Sequence, residues 1–261
     1  MSDAVVSAEW LADRLDEVRV VDVRDAWEYD GIGHVDGAVN VPFETFRSED
    51  AGEAGMLPGA ERFAELLGEV GIDNGDEIVA YDDMHGVFAA RLLVTAELYG
   101  HDPDKLHLLD GDYSAWSLEH PVSETTPPTE PADYEASFRT DGPLVGLDAV
   151  EAAIDDPDTV IVDTREQWEY EEGHIPGAVR LDWRELVDDD TRGLHPESEM
   201  RTLLEERGIT AEKRVLLYCN TARRISHTYT VLRHLGYPNL AFYEGSLTEW
   251  EAEGGELETG A

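Results

Sequence analysis

Apolar strands alternating with amphipathic helices, written out twice along one chain, predict an α/β protein of two tandem domains, each a parallel sheet covered by helices on both faces. Three observations carry this expectation. Blocks of sequence recur about 140 residues apart, in the same order, in each half. Short apolar runs alternate with segments of helical periodicity. A proline-rich stretch without apolar periodicity separates the halves.

In the first half, Arg19 to Val23 is a short apolar strand, and Ile78 to Tyr81 and Leu106 to Leu109 are others. Between them Phe63, Leu66, Leu67 and Val70 fall at i, i+3, i+4 and i+7, the stripe of an amphipathic helix. In the second half Val160 to Asp163, Val215 to Tyr218 and Leu240 to Tyr243 read as strands, and Ile225, Tyr229, Leu232 and Leu235 mark a helix closed by Gly236. The repeat is explicit. Val21-Asp-Val-Arg-Asp-Ala-Trp-Glu-Tyr29 returns as Val162-Asp-Thr-Arg-Glu-Gln-Trp-Glu-Tyr170, and Gly33-His-Val-Asp-Gly-Ala-Val39 returns as Gly173-His-Ile-Pro-Gly-Ala-Val179. Gly111 to Trp116 corresponds to Gly245 to Trp250. A correspondence of this length is duplication of a whole domain, not a short solenoid repeat. Residues 123 to 133 carry three prolines and predict a stiff, exposed linker. The expected organisation is a first domain over residues 1–122, a linker over 123–141 and a second domain over 142–261.

The chain has 59 acidic residues against 19 basic ones, and only Lys105 and Lys213 are lysines. A net charge of −40 repels nucleic acid and anionic membrane surfaces, which excludes both as partners. It also strains a compact state by self-repulsion, which molar salt relieves. This lysine-poor, acid-rich composition resembles that of proteins from salt-accumulating haloarchaea. No run approaches the roughly 18 to 20 apolar residues that span a bilayer. The N-terminal residues lack the basic and apolar segments of a signal peptide, so a cytoplasmic location is expected. One cysteine excludes an internal disulfide and a multi-cysteine metal site, and the histidines show no ligand spacing. No metal or cofactor is expected.

The chemistry therefore rests on Cys219. It ends the strand Val215 to Tyr218 and is followed by Asn220, Thr221, Ala222, Arg223 and Arg224, after which the helix begins. Parallel sheets place ligands beyond the carboxyl ends of their strands. The next helix offers free N–H groups and positive dipole, which stabilise a thiolate, and two arginines add positive charge. The arrangement suits an anionic sulfur nucleophile and an anionic substrate. At the matching place in the first half, Tyr81 is followed by Asp82, which cannot act as a sulfur nucleophile.

Cys219 to Arg224, a Cys-x-x-x-x-Arg sequence, resembles the six-residue active loop of the rhodanese family. The Asp-x-Arg pairs Asp22/Arg24 and Asp163/Arg165, the Gly-His-x-x-Gly-Ala blocks at His34 and His174, and Gly245 to Trp250 are similar to its other signatures. The resemblance covers both halves. It implies a thiosulfate sulfurtransferase in which Cys219 carries sulfur as a persulfide and Asn220, Thr221, Ala222, Arg223 and Arg224 bind substrate. It further implies partners limited to a small sulfur donor and a thiophilic acceptor, no cofactor, and a first domain that helps wall the pocket. Some thiosulfate rhodaneses carry an arginine and a lysine where this chain has Glu169 and Thr221, so a modest thiosulfate affinity is expected, with Arg223 and Arg224 compensating. 3-Mercaptopyruvate ranks second as donor, because Asn220-Thr221-Ala222 departs from the Cys-Gly-Ser-Gly loop of that branch. A Cys-based phosphatase or arsenate reductase would carry five residues between Cys and Arg, and here that position is Ile225. A non-catalytic binding module typically lacks the cysteine.

The remaining polar candidates read as structural. The two Asp-x-Arg pairs are expected to fix loops after strands. His34, His174 and His227 are expected to serve packing rather than proton transfer. Trp116 and Trp250 are expected in cores, and the resemblance implies that Trp183-Arg184 lines the pocket.

Overall fold

The computed structural model describes residues 3–48, 56–220 and 222–260. Thr221 is the one candidate site residue outside them. The chain forms two compact units, Met1–Gly142 with Asp189–Leu194, and Pro143–Asp188 with His195–Ala261.

In the first unit, strands β1 (Val5–Val6), β2 (Arg19–Asp22), β4 (Val39–Asn40), β5 (Ile78–Tyr81) and β6 (Leu106–Leu109) form a parallel sheet in the order β1-β6-β5-β2-β4. Two further short strands, β3 (His34–Val35) and β7 (Val122–Ser123), pair antiparallel beside it. The helices are α1 (Ala8–Ala12), α2 (Ala26–Ile32), α3 (Ala60–Glu69), α4 (Val87–Leu98) and α5 (Asp112–Glu119). Alternation along the strands builds two cores. Ile78 and Ala80 of β5 point to the layer of Phe63, Leu67 and Leu92, while Val79 and Tyr81 point to that of Leu11, Tyr113 and Trp116. Both faces are thus apolar, which is why the strands read as continuous hydrophobic runs.

The second unit repeats this plan. Its strands are β8 (Leu144–Val145), β9 (Thr159–Asp163), β10 (Val179–Arg180), β11 (Arg214–Tyr218) and β12 (Leu240–Tyr243). They run parallel in the order β10-β9-β11-β12-β8, the first sheet read from the other edge. Its helices are α6 (Leu147–Ile154), α7 (Gln167–Glu172), α8 (Glu197–Glu206), α9 (Arg223–His234) and α10 (Ser246–Ala252). An antiparallel bridge between His174 and Glu258 stands where the first unit has β3 and β7. β11 is the middle strand, so the loop after it emerges at the centre of the sheet's carboxyl edge.

Two stretches depart from the simple division into halves. The segment expected as a linker is largely exposed and without helix, but it runs along the first unit: Tyr134 is buried in the core beside Phe63, and Ala132 N–H donates to Gly68 O at 2.9 Å. Residues 189–194 also belong to the first unit. There Arg192 forks onto Asp112, with Nη2 at 2.8 Å from Oδ2, and Leu194 N–H donates to Asp110 Oδ1 at 2.8 Å.

Candidate active site

Cys219 follows β11 directly and is 1% exposed. Its backbone N–H donates to Ser246 Oγ at 3.2 Å, and its carbonyl accepts Leu247 N–H at 2.9 Å. Thr248 Oγ1 donates to Asn220 O at 2.8 Å. The first turn of α10 therefore clasps the start of the cysteine loop. Ser246 does this from a left-handed backbone, φ +50°, a conformation costly for a residue with a Cβ. Asp112 occupies the matching place in the first unit, with φ +49°, and accepts His85 N–H at 3.1 Å. Sequence reasoning does not single out Ser246. Its signal is the matched Gly-Asp and Gly-Ser steps at Gly111 and Gly245.

The loop is shorter than its sequence suggests. α9 begins at Arg223, so Arg223 and Arg224 occupy the first helical turn rather than the loop. The turn is made by Ala222, buried and left-handed at φ +59°. The first unit uses Gly86, φ +82°, for the same corner.

Arg224 does not stand free. Its Nη1 donates to Glu169 Oε2 and its Nη2 to Glu169 Oε1 at 3.2 Å. Asn220 Nδ2 donates to the same Oε1 at 2.8 Å, and Arg165 Nη1 reaches Asn220 Oδ1 at 3.4 Å. Arg224 and the acidic Glu169 form one ion pair, 20% and 7% exposed at their side chains. Burial pushes Glu169 towards the neutral form, but the donors on Arg224, Glu166 and Asn220 outweigh it and hold the carboxyl below its ordinary range. Burial likewise disfavours the Arg224 charge. The hydrogen bonds and charge of Glu169, and then the charge of Cys219, raise its grip on the proton.

The paired Asp-x-Arg motifs lock the loop after β9 and after β2. Arg165 Nη2 lies 2.6 Å from Asp163 Oδ2 and 2.6 Å from Gly173 O, and Tyr218 OH donates to Asp163 Oδ2 at 2.7 Å. Arg24, Asp22, Gly33 and Tyr81 repeat the pattern. His34 and His174 stack on Tyr29 and Tyr170, with ring centroids 3.8 and 3.7 Å apart, so both are structural. His227 is buried on α9 edge-on to Trp183. Trp183 is thereby a core residue of this unit and is not among those lining the cavity beside the loop. Trp116 and Trp250 are buried as expected.

That cavity, about 330 Å³, is lined by Arg165, Trp168, Glu169, Glu172, Asn220 and Glu251, among others. Among the described residues no group of three or more acidic, histidine or cysteine side chains could hold a metal ion.

A model of the rhodanese-like domain matches residues 7–119 and again 147–253. The chain belongs to the rhodanese-like family. Its two units are two rhodanese domains, and the cysteine loop lies in the second. The thiosulfate sulfurtransferase of Azotobacter vinelandii is 31% identical, over 90% of this chain and 88% of its own. The sulfur carrier protein TtuD of Thermus thermophilus is 31% identical, over 95% and 93%. The solved anaerobic ergothioneine biosynthesis enzyme of Chlorobium limicola superposes with a TM-score of 0.86 over 99% of this chain and 71% of its own, at 19% identity, a likeness of fold. No described helix is long and apolar enough to cross a membrane.

The first rhodanese domain has Asp82 where the second has Cys219. Asp82 Oδ1 accepts N–H groups of Met84 at 2.8 Å and Gly86 at 2.7 Å, and Oδ2 accepts those of Phe88 at 2.7 Å and Ala89 at 3.0 Å. Burial nevertheless outweighs these four donors and raises the Asp82 carboxyl above its ordinary value.

Proposed function

We propose that the protein is a sulfurtransferase that moves the sulfane sulfur of thiosulfate to a thiophilic acceptor, cyanide or a thiol, through a persulfide on Cys219. One observation carries the reading: the chain's only cysteine sits at the carboxyl end of the central strand of a rhodanese domain, where the loop turns into a helix whose first turn holds Arg224. The names of relatives that match along nearly the whole chain support the same activity.

The Cys219 thiolate attacks the outer sulfur of thiosulfate. A new S–S bond forms to Cys219, the S–S bond of the donor breaks, and sulfite leaves with its electron pair. The acceptor then attacks the outer sulfur and the thiolate departs, which gives ping-pong kinetics. The N–H groups at the start of α9, with Asn220, Thr221 and Ala222, hold the anionic sulfur, and Arg223 contacts the donor. The loop of the first domain supports this role, since the corresponding corner there holds a carboxylate on four amides. The reaction needs no cofactor, no nucleic acid and no membrane, and we place it in the cytoplasm.

Intact mass in high salt tests the proposal. Thiosulfate should add one sulfur, about 32 Da, and Cys219→Ser should lose both adduct and turnover. Full activity in that variant would sink the mechanism. An adduct formed with 3-mercaptopyruvate but not thiosulfate would move the donor assignment.

A further inference from the structure

The second domain pairs Glu169 in a way the first domain does not need. In both domains the third residue of the helix after the Asp-x-Arg turn is glutamate, Glu28 on α2 or Glu169 on α7, and both close a capping box by accepting the N–H of Asp25 or Glu166 at 3.1 Å. Glu28 is only half-buried, and the second residue of the helix after its loop is Phe88. Glu169 is 6% exposed, and the corresponding residue is Arg224, whose two Nη atoms it holds. The burial and the ion pair thus go with the cysteine loop, while the cap is common to both. The cavity beside the loop adds Glu172 and Glu251, and the guanidinium that lines it, that of Arg165, is forked onto Asp163.

We propose that Glu169 is a positioning residue that determines donor specificity: by holding the Arg224 guanidinium along its own carboxylate, it withdraws that charge from the donor and lowers the site's affinity for anionic donors, thiosulfate among them. This rests on the sulfurtransferase reading above. An oxyanion arriving at the loop must compete with a fixed carboxylate for the two N–H groups that Glu169 holds.

Glu169→Gln tests it, since glutamine keeps the shape and still serves a capping box. Two alkylating reagents of similar size, the iodoacetate anion and neutral iodoacetamide, compete for Cys219. Their rate ratio cancels the fraction of thiolate and reads only the charge preference of the site. Glu169→Gln should raise the iodoacetate to iodoacetamide ratio on the order of three- to tenfold, as expected for removing one unit charge a few ångströms away. The KM for thiosulfate should fall by a similar factor while kcat changes less. Glu169→Asp, which keeps the charge, should stay near the wild-type ratio, and Glu169→Ala serves if the glutamine variant does not fold. An unchanged ratio in the charge-removing variant, or a ratio that moves as far in Glu169→Asp, overturns the proposal. If the wild type takes no sulfur from any donor, the sulfurtransferase reading fails, and the alkylation ratio still decides the role of Glu169.

Discussion

Asp82 and Cys219 occupy the same corner of two copies of one domain, and their surroundings explain what each can do. Asp82 gives four amides an acceptor inside the protein, although burial disfavours its charge. Asp82→Ala leaves those donors without it, at a cost on the order of 2–4 kcal/mol. Denaturant unfolding should show that loss, while mass spectrometry shows persulfide formation at Cys219 largely intact. Loss of the adduct with the fold preserved would give the first domain a part in the chemistry. Glu169 makes stability depend on acidity. Its folded carboxyl lies below the ordinary range, so the Arg224 pair stabilises the fold at pH above the unfolded value, and this is lost as pH falls through the lowered one. Glu169→Gln should therefore lose stability near neutral pH and converge with the wild type in acid, read from unfolding free energies along a pH series.

At the scale of elements, the start of α9 is built against local rules. Two arginines occupy a first turn that contains no acid, where the helix dipole favours negative charge, at about 0.3–1 kcal/mol each. Ala222 turns the corner at φ +59° where glycine would do so without strain. Features that cost stability and converge on one cysteine mark a candidate functional site. Ala222→Gly should relieve the turn and raise the melting temperature by a few degrees, on the order of 1 kcal/mol. Arg224→Ala should lower turnover and thiol reactivity together, because it also leaves Glu169 unpaired, whereas Arg223→Ala should mainly raise the KM for thiosulfate. Steady-state kinetics beside the pH dependence of iodoacetamide labelling separates the two. Wild-type behaviour in both variants would make these arginines bystanders.

Charge governs the behaviour of the whole molecule. With −40 spread along 261 residues, self-repulsion opposes each compact unit. Melting temperature should rise from low salt to molar KCl as the screening length falls to about 3 Å. A flat or falling curve over that range would contradict the salt-adapted reading of the composition.

The sequence by itself determined the architecture. Hydrophobic periodicity is a local property, and the strands at 78–81, 106–109 and 240–243 lie where it places them. Duplication was legible because both copies keep the residues that lock one turn, Asp22/Arg24 and Asp163/Arg165. Cys219 was legible as a candidate because it ends an apolar strand ahead of two arginines and a helix. The tertiary structure decided what depends on distant partners. Glu169 and Arg224 are 55 residues apart, and nothing in either neighbourhood announces that they share one ion pair. Ser246 reaches the Cys219 amide from 27 residues away through a strained backbone that no propensity favours. Residues 189–194 joined the first unit because Arg192 found Asp112 there, 80 residues back along the chain. Periodicity records which face of an element is buried, but a charge or hydroxyl acquires its role only when the folded chain supplies the group it meets.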